Sequence, residues 1–193
     1  YIVSIKVTYI STAATPTITV SPSSLSGFTY VQGSGPSATK TFTVSGANLT
    51  ANISLAAPTN YEISLSSGSG YTASLTLTQS GGTVSSTTIY ARLKSGLSTG
   101  TYNSENVVAS STDATSQNVT CSGSVTAPVP TITVTPTTLS GFTYVQGSGP
   151  STAQTFTVSG ANLTANISLS APTNYEISLS SGSGYTASLT LTQ

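Results

Sequence analysis

The sequence has no histidine, no methionine, no tryptophan and one cysteine, and only four basic and four acidic side chains among its 193 residues. Each shortage removes a class of function. Without histidine a Ser-His-Asp triad is impossible, and Cys121 has no imidazole to activate it. One cysteine forms no disulfide within the chain, and the zinc spacings, which need two to four Cys or His ligands, are missing. The acids Glu62, Glu105, Asp113 and Glu176 are scattered, so neither a carboxylate pair for glycoside hydrolysis nor a clustered calcium cage is expected. Lys6, Lys40, Arg92 and Lys94 are too few for the basic stripe that displaces counterions from phosphates, which sets nucleic acid aside. No run of about 18 apolar residues occurs, so membrane insertion is not expected within this sequence. The expectation is a protein with no catalytic residues, no cofactor and no metal.

What the sequence does have is hydroxyl groups. Ser and Thr account for 37 residues each, so hydroxyls rather than charges hydrate the surface. Disordered chains are poor in β-branched and aromatic residues, whereas Val, Ile, Thr and Tyr recur here in short alternating runs. The chain is expected to fold.

Residues 17–79 reappear as residues 131–193 at an offset of 114, with differences only at positions 21, 23, 24, 38, 39, 40 and 56 of the first copy. One repeat unit therefore runs from about Thr17 to Pro130, and 131–193 reads as the N-terminal part of a second, incomplete unit. Residues 13–16 read as a linker. Ahead of it Tyr1–Ile10 alternates, with Tyr1, Val3, Ile5, Val7 and Tyr9 on one face, so residues 1–12 read as an orphan strand. Two origins stay open: the close of a preceding domain in a longer protein, or a donor strand that completes a half-built sandwich of another molecule.

Within the first unit, alternation predicts strands near Thr17–Ser21, Phe28–Gln32, Thr39–Ser45, Asn52–Ala56, Tyr61–Ser66, Ala73–Gln79, Thr87–Leu93, Thr101–Ser110 and Ser116–Thr126. Gly-, Pro- and Asn-bearing turns separate them. Short strands at this density predict an all-β fold, immunoglobulin-like β-sandwich domains in tandem with almost no helix. Tyr61, Ile63 and Leu65 are expected to face inward, as are Ala73, Leu75 and Leu77. Pro16 and Pro130 precede the first strand of each copy, and short Pro-bearing joints are stiff, so a rod of domains in series is expected.

Few motifs rise above a structural reading. Cys121 shares a face with Val119 and Val125, which predicts a buried, inert thiol. Glu62 is expected on a solvent face. Gly68-Ser69-Gly70-Tyr71-Thr72-Ala73 matches G-x-G-x-x-A, but a strand follows where a dinucleotide site needs a helix, so it reads as a hairpin loop. The sequons at Asn48, Asn52, Asn118, Asn162 and Asn166 are what a Ser/Thr-rich composition produces. Tyr30, Tyr71, Tyr90 and Tyr102 are the tyrosines expected to be exposed, and so the candidates for stacking on sugar rings.

The runs PTITVSPSSLSGFTY, FTVSGANLT, PTNYEISLS, TIYARLKSGLSTGTY and SGSV, spread over residues 17–193, resemble the tandem Ser/Thr-rich immunoglobulin-like (BACON-like) β-sandwich repeats of secreted and cell-surface proteins of Bacteroidota. The resemblance implies an extracellular location and a structural or adhesive role as a stalk or fibre. Its partners would be neighbouring repeats, copies of itself or surface glycans. Two alternatives accompany it: a filament subunit completed by strand exchange, and a carbohydrate-binding accessory domain of a secreted polysaccharide-degrading enzyme.

Overall fold

The computed structural model describes residues 3–6 and 13–193. They divide into two units, Tyr1–Ala127 and Pro128–Gln193. Of the strand expected over Tyr1–Ile10 only residues 3–6 are described, and these lie outside any strand with Val3 and Ile5 exposed. The rest of that strand lies outside the described residues.

Among the described residues the first unit has nine strands: β1 Thr17–Ser21, β2 Ser24–Val31, β3 Lys40–Ala47, β4 Ile53–Ala56, β5 Tyr61–Ser64, β6 Ser74–Leu77, β7 Val84–Leu93, β8 Gly100–Ser110 and β9 Gln117–Thr126. They form a four-stranded sheet in the order β1-β3-β7-β5 and a five-stranded sheet in the order β2-β9-β8-β4-β6. All pairings are antiparallel except β2 with β9. This is the strand arrangement of an immunoglobulin-like sandwich whose first strand is split between the two sheets. The expected all-β class stands, and the described residues contain no helix.

Period-two patterning builds the core. Phe42 and Val44 on β3, Ile89, Ala91 and Leu93 on β7, Val107 and Ala109 on β8, and Val119, Cys121 and Val125 on β9 all face inward and are buried. Ser and Thr take most of the alternate positions, with Tyr90, Arg92, Asn106, Val108 and Asn118 in the rest. Fully burying a Val, Leu, Ile or Phe side chain stabilises by roughly 1.5–3 kcal/mol, so these strands hold their register because a one-residue slip would turn the whole set outward.

Three expectations need correction. Leu65 is exposed and not inward-facing: β5 stops at Ser64, whose hydroxyl accepts the Ser66 N–H at 2.9 Å and donates to the Ser69 carbonyl at 2.6 Å, folding the chain off the strand. Ala73 is exposed as well, since β6 begins only at Ser74. The loop around Gly68 and Gly70 is not a β-hairpin, because β5 pairs with β7 and β6 with β4. Apart from the bridge Ile63–Thr72 it is a crossover between sheets. In the other direction, β2 starts four residues earlier than the alternation suggested. A bulge at Gly27, with φ +74°, lets Ser24–Ser26 pair along β9.

The second unit contains β10 Thr131–Thr135, β11 Thr157–Ala161, β12 Ile167–Ser170 and β13 Ser188–Leu191. Its ladders copy those of the first: Thr131 opposes Ala161 as Thr17 opposes Ala47, and Ile167 opposes Leu191 as Ile53 opposes Leu77. Phe142 and Tyr175 sit edge to face at 5.4 Å, as Phe28 and Tyr61 do at 5.2 Å. The ladders form two separate two-stranded sheets and not a sandwich. The counterparts of β2 and β5 are not strands here. In the first unit those strands are held by β9 and β7, whose sequences 131–193 does not repeat.

Candidate functional site

The four candidate tyrosines occupy three different places. Tyr30 is corrected from exposed to buried. Its hydroxyl donates to the Lys94 carbonyl at 2.7 Å and accepts the Leu97 N–H at 3.2 Å, so it pins the β7–β8 connection. Gly35 lies against its ring so closely that a Cβ there would come within 2.6 Å of Tyr30 Cζ. No ring face is left for a sugar.

Tyr102 stands near the start of β8 and donates to the carbonyl of Ser98, four residues upstream, at 2.7 Å. That geometry is the tyrosine corner of immunoglobulin-like sandwiches, which fixes the turn into the sixth strand of that fold. Its role is to lock a connection. Tyr102→Phe should lower stability by about 1 kcal/mol, read as a drop in the urea midpoint with an unchanged m-value; an unaltered midpoint would contradict the corner assignment.

Tyr71 and Tyr90 belong to the outer face of the four-stranded sheet. Tyr90 and Arg92 alternate outward along β7, and Arg92 pairs across to Glu62 on β5 with Nε–Oε1 at 2.7 Å. The crossover loop then lays Tyr71 on the guanidinium, with Arg92 Cζ 3.7 Å from the ring centroid. The Tyr71 hydroxyl donates to the Ser67 carbonyl at 3.1 Å and lies 2.9 Å from Thr39 Oγ1. One face of the Tyr71 ring is thus already stacked. Glu62 is outward, as the alternation implied, but paired.

Two contributors were not singled out in the sequence. Glu105 accepts the side-chain amide of Asn60 at 2.8 Å and its backbone N–H at 3.3 Å, tying the Pro58–Asn60 turn to the five-stranded sheet. Arg92 is the other. Opposite charges on neighbouring strands were a readable signal only once β5 and β7 were known to pair.

Cys121 and Tyr61 form the most perturbed pair. Burial, and secondarily Glu105, pushes the Cys121 thiol up to about 12, and burial raises the Tyr61 phenol well above its usual range. Both groups prefer to stay protonated in the folded state. Above the unfolded thiol value near 9 the unfolded chain therefore holds fewer protons than the folded one, and stability falls as pH rises toward 12. The urea midpoint should be level from pH 7 to 8 and decline from pH 9 to 11. A midpoint that holds level to pH 11 would show that neither group loses its proton on unfolding.

Among the described residues no three His, Cys, Asp or Glu side chains gather at metal-binding distance, and no helix is long and apolar enough to cross a membrane. One opening, about 480 Å³, lies in the second unit against Val158, Gly160, Leu163, Ile167, Leu191 and Gln193. A shallower one of about 280 Å³ sits on the outer face of β2, β9 and β8, over Gly27, Thr29, Thr101, Asn103 and Gly123. No family model and no curated protein matches the chain.

Proposed function

We propose that the chain is a structural and adhesive extracellular protein, built of repeated BACON-like sandwiches that form a stalk or fibre on a cell surface. The observation that carries the reading is the parallel pairing of β2 with β9. These strands lie toward the two ends of the first unit and run side by side through seven registered pairs, from Ser24–Thr120 to Val31–Thr126. Tension applied at the two ends pulls β2 and β9 along their length in opposite directions. The ladder hydrogen bonds are then loaded together in shear instead of opening one at a time. A near-verbatim repeat of residues 17–79 after a short Pro-bearing segment supports the same reading, because repeat proteins are built by reusing one structural pattern along the chain.

Single-molecule stretching of the whole chain by its ends tests the proposal. The first unit should open in one cooperative event with a length gain of roughly 35 nm, the span of its residues at about 3.3–3.6 Å each. Gradual extension with no force peak would remove the mechanical reading. Tight binding of one polysaccharide on a glycan array would replace it with the carbohydrate-binding alternative.

A further inference from the structure

An amine, a carboxamide and a carboxylate from three strands converge on the Pro58–Asn60 turn. Lys94 follows the last residue of β7, Asn60 precedes the first residue of β5, and Glu105 comes from β8 in the other sheet. The Lys94 N–H donates to the Asn60 carbonyl at 2.9 Å. That bond carries the β5–β7 ladder one pair past Tyr61–Leu93 and sets Asn60 and Lys94 opposite one another. Opposed residues on antiparallel strands have Cβ atoms about 4.5–5.5 Å apart, a gap that the stem of a lysine spans. The Lys94 side chain is folded back onto the turn, where Nζ donates to the Thr59 carbonyl at 2.6 Å, one residue from Asn60.

Glu105 reaches the same turn from the other sheet. Its Oε1 accepts the Asn60 side-chain amide Nδ2 at 2.8 Å, and its Oε2 accepts the Asn60 backbone N–H at 3.3 Å. Two bonds from one carboxylate hold the Asn60 carboxamide with its nitrogen against an acid. The ion pair among the described residues is Arg92–Glu62, so Lys94 and Glu105 hold one turn without pairing with each other. The residue they share is Asn60.

We propose that Lys94 and Asn60 form a modification site at which the chain cross-links itself through an isopeptide bond. The uncharged Lys94 Nζ attacks Asn60 Cγ; the Nζ–Cγ bond forms and the Cγ–Nδ2 bond breaks. The proton shed by the amine passes through the Glu105 carboxylate to Nδ2, which leaves as ammonia. One amide replaces another, so no oxidant, reductant or other co-reactant is consumed. The fold supplies proximity, which turns a bimolecular aminolysis into a step within one molecule. Glu105 is the catalytic residue, since its oxygen touches the leaving nitrogen. The product closes residues 60–94 into a covalent loop and ties β5 to β7. This chemistry does not depend on the load-bearing reading of β2 and β9.

Intact-mass measurement of the folded chain tests the proposal. The chain should be lighter than its sequence by one ammonia, and a tryptic digest should contain a branched peptide joining Asn60 to Lys94, with no cleavage after Lys94. Lys94→Arg and Glu105→Gln should each restore the full mass, with a retained urea transition showing that the variants fold. In the stretching experiment the cross-link withholds about 34 residues, shortening the length gain by roughly 11–12 nm at about 3.3–3.6 Å each, and Lys94→Arg should give the length back. Full mass in the parent chain after prolonged incubation would overturn the inference. So would a deficit that survives Lys94→Arg, which would place the lost ammonia in a succinimide at an asparagine; a deficit that survives Glu105→Gln would overturn the role of Glu105.

Discussion

Tyr61→Ala should destabilise the first unit by about 3–5 kcal/mol, the cost of deleting a buried large aromatic ring. Tyr61 is fully buried, meets Phe28 edge to face at 5.2 Å, and donates its hydroxyl to the Tyr102 carbonyl at 2.7 Å. The side chain reaches from β5 in one sheet to β8 in the other, so it ties the two layers together. Tyr61→Phe separates the contributions: it keeps the ring and loses the hydrogen bond, for about 1–2 kcal/mol. The repeat supplies an internal control. Tyr175 is the same residue in the same local sequence but is 49% exposed, and Tyr175→Ala should cost under about 1 kcal/mol. Urea midpoints of the three variants decide the matter, and similar losses at Tyr61 and Tyr175 would refute the assignment of Tyr61 to the core.

Gly123→Ala should cost about 2–3 kcal/mol despite adding a single methyl group, the upper part of the range for overpacking a tight site. Gly123 is on β9, opposite Phe28 on β2 and Tyr102 on β8. A Cβ there would overlap the Phe28 carbonyl oxygen and lie 2.8 Å from the Phe28 Cβ and 3.0 Å from the Tyr61 hydroxyl. Two of the three are backbone or near-backbone atoms, so relief requires β2 to move away from β9. Gly33→Ala is the contrast. Gly33 has open space around its added Cβ, so its cost comes only from a φ of +88° and should stay near 1 kcal/mol. A Gly123→Ala variant as stable as the parent would mean that β2 is held less closely than described.

Much of the fold was legible because it follows from alternation. Where strands bury one face, as with Phe42-x-Val44 or Ile89-x-Ala91-x-Leu93, the period of two revealed both strand and core. It misled at Leu65 and Ala73: hydroxyl hydrogen bonding at Ser64 ends β5 before the apolar pattern ends, and β6 begins only at Ser74, after the pattern has started. The tyrosines show a sharper limit. Alternation places a side chain on a face but does not say what lies over that face, so Tyr30 with Gly35 packed on its ring and Tyr71 with a guanidinium beneath it both read as free. The roles of Glu105 and Arg92 depend on pairs 45 and 30 residues apart, a separation that local patterning does not span. The second unit repeats the first in sequence yet not in burial, because a strand's order comes from its partner as much as from its own residues.

The parallel β2–β9 pair also bears on how the first unit closes. Ser24 lies opposite Thr120 and Val31 opposite Thr126, partners about 95 residues apart, whereas β8 and β9 meet across a short turn. A pairing of that sequence separation has to meet the loop-closure entropy of the intervening chain before its own ladder bonds offset it. The sandwich is thus fastened by two strands drawn from opposite halves of its sequence, and its slow step is one of chain geometry and not of local sequence preference.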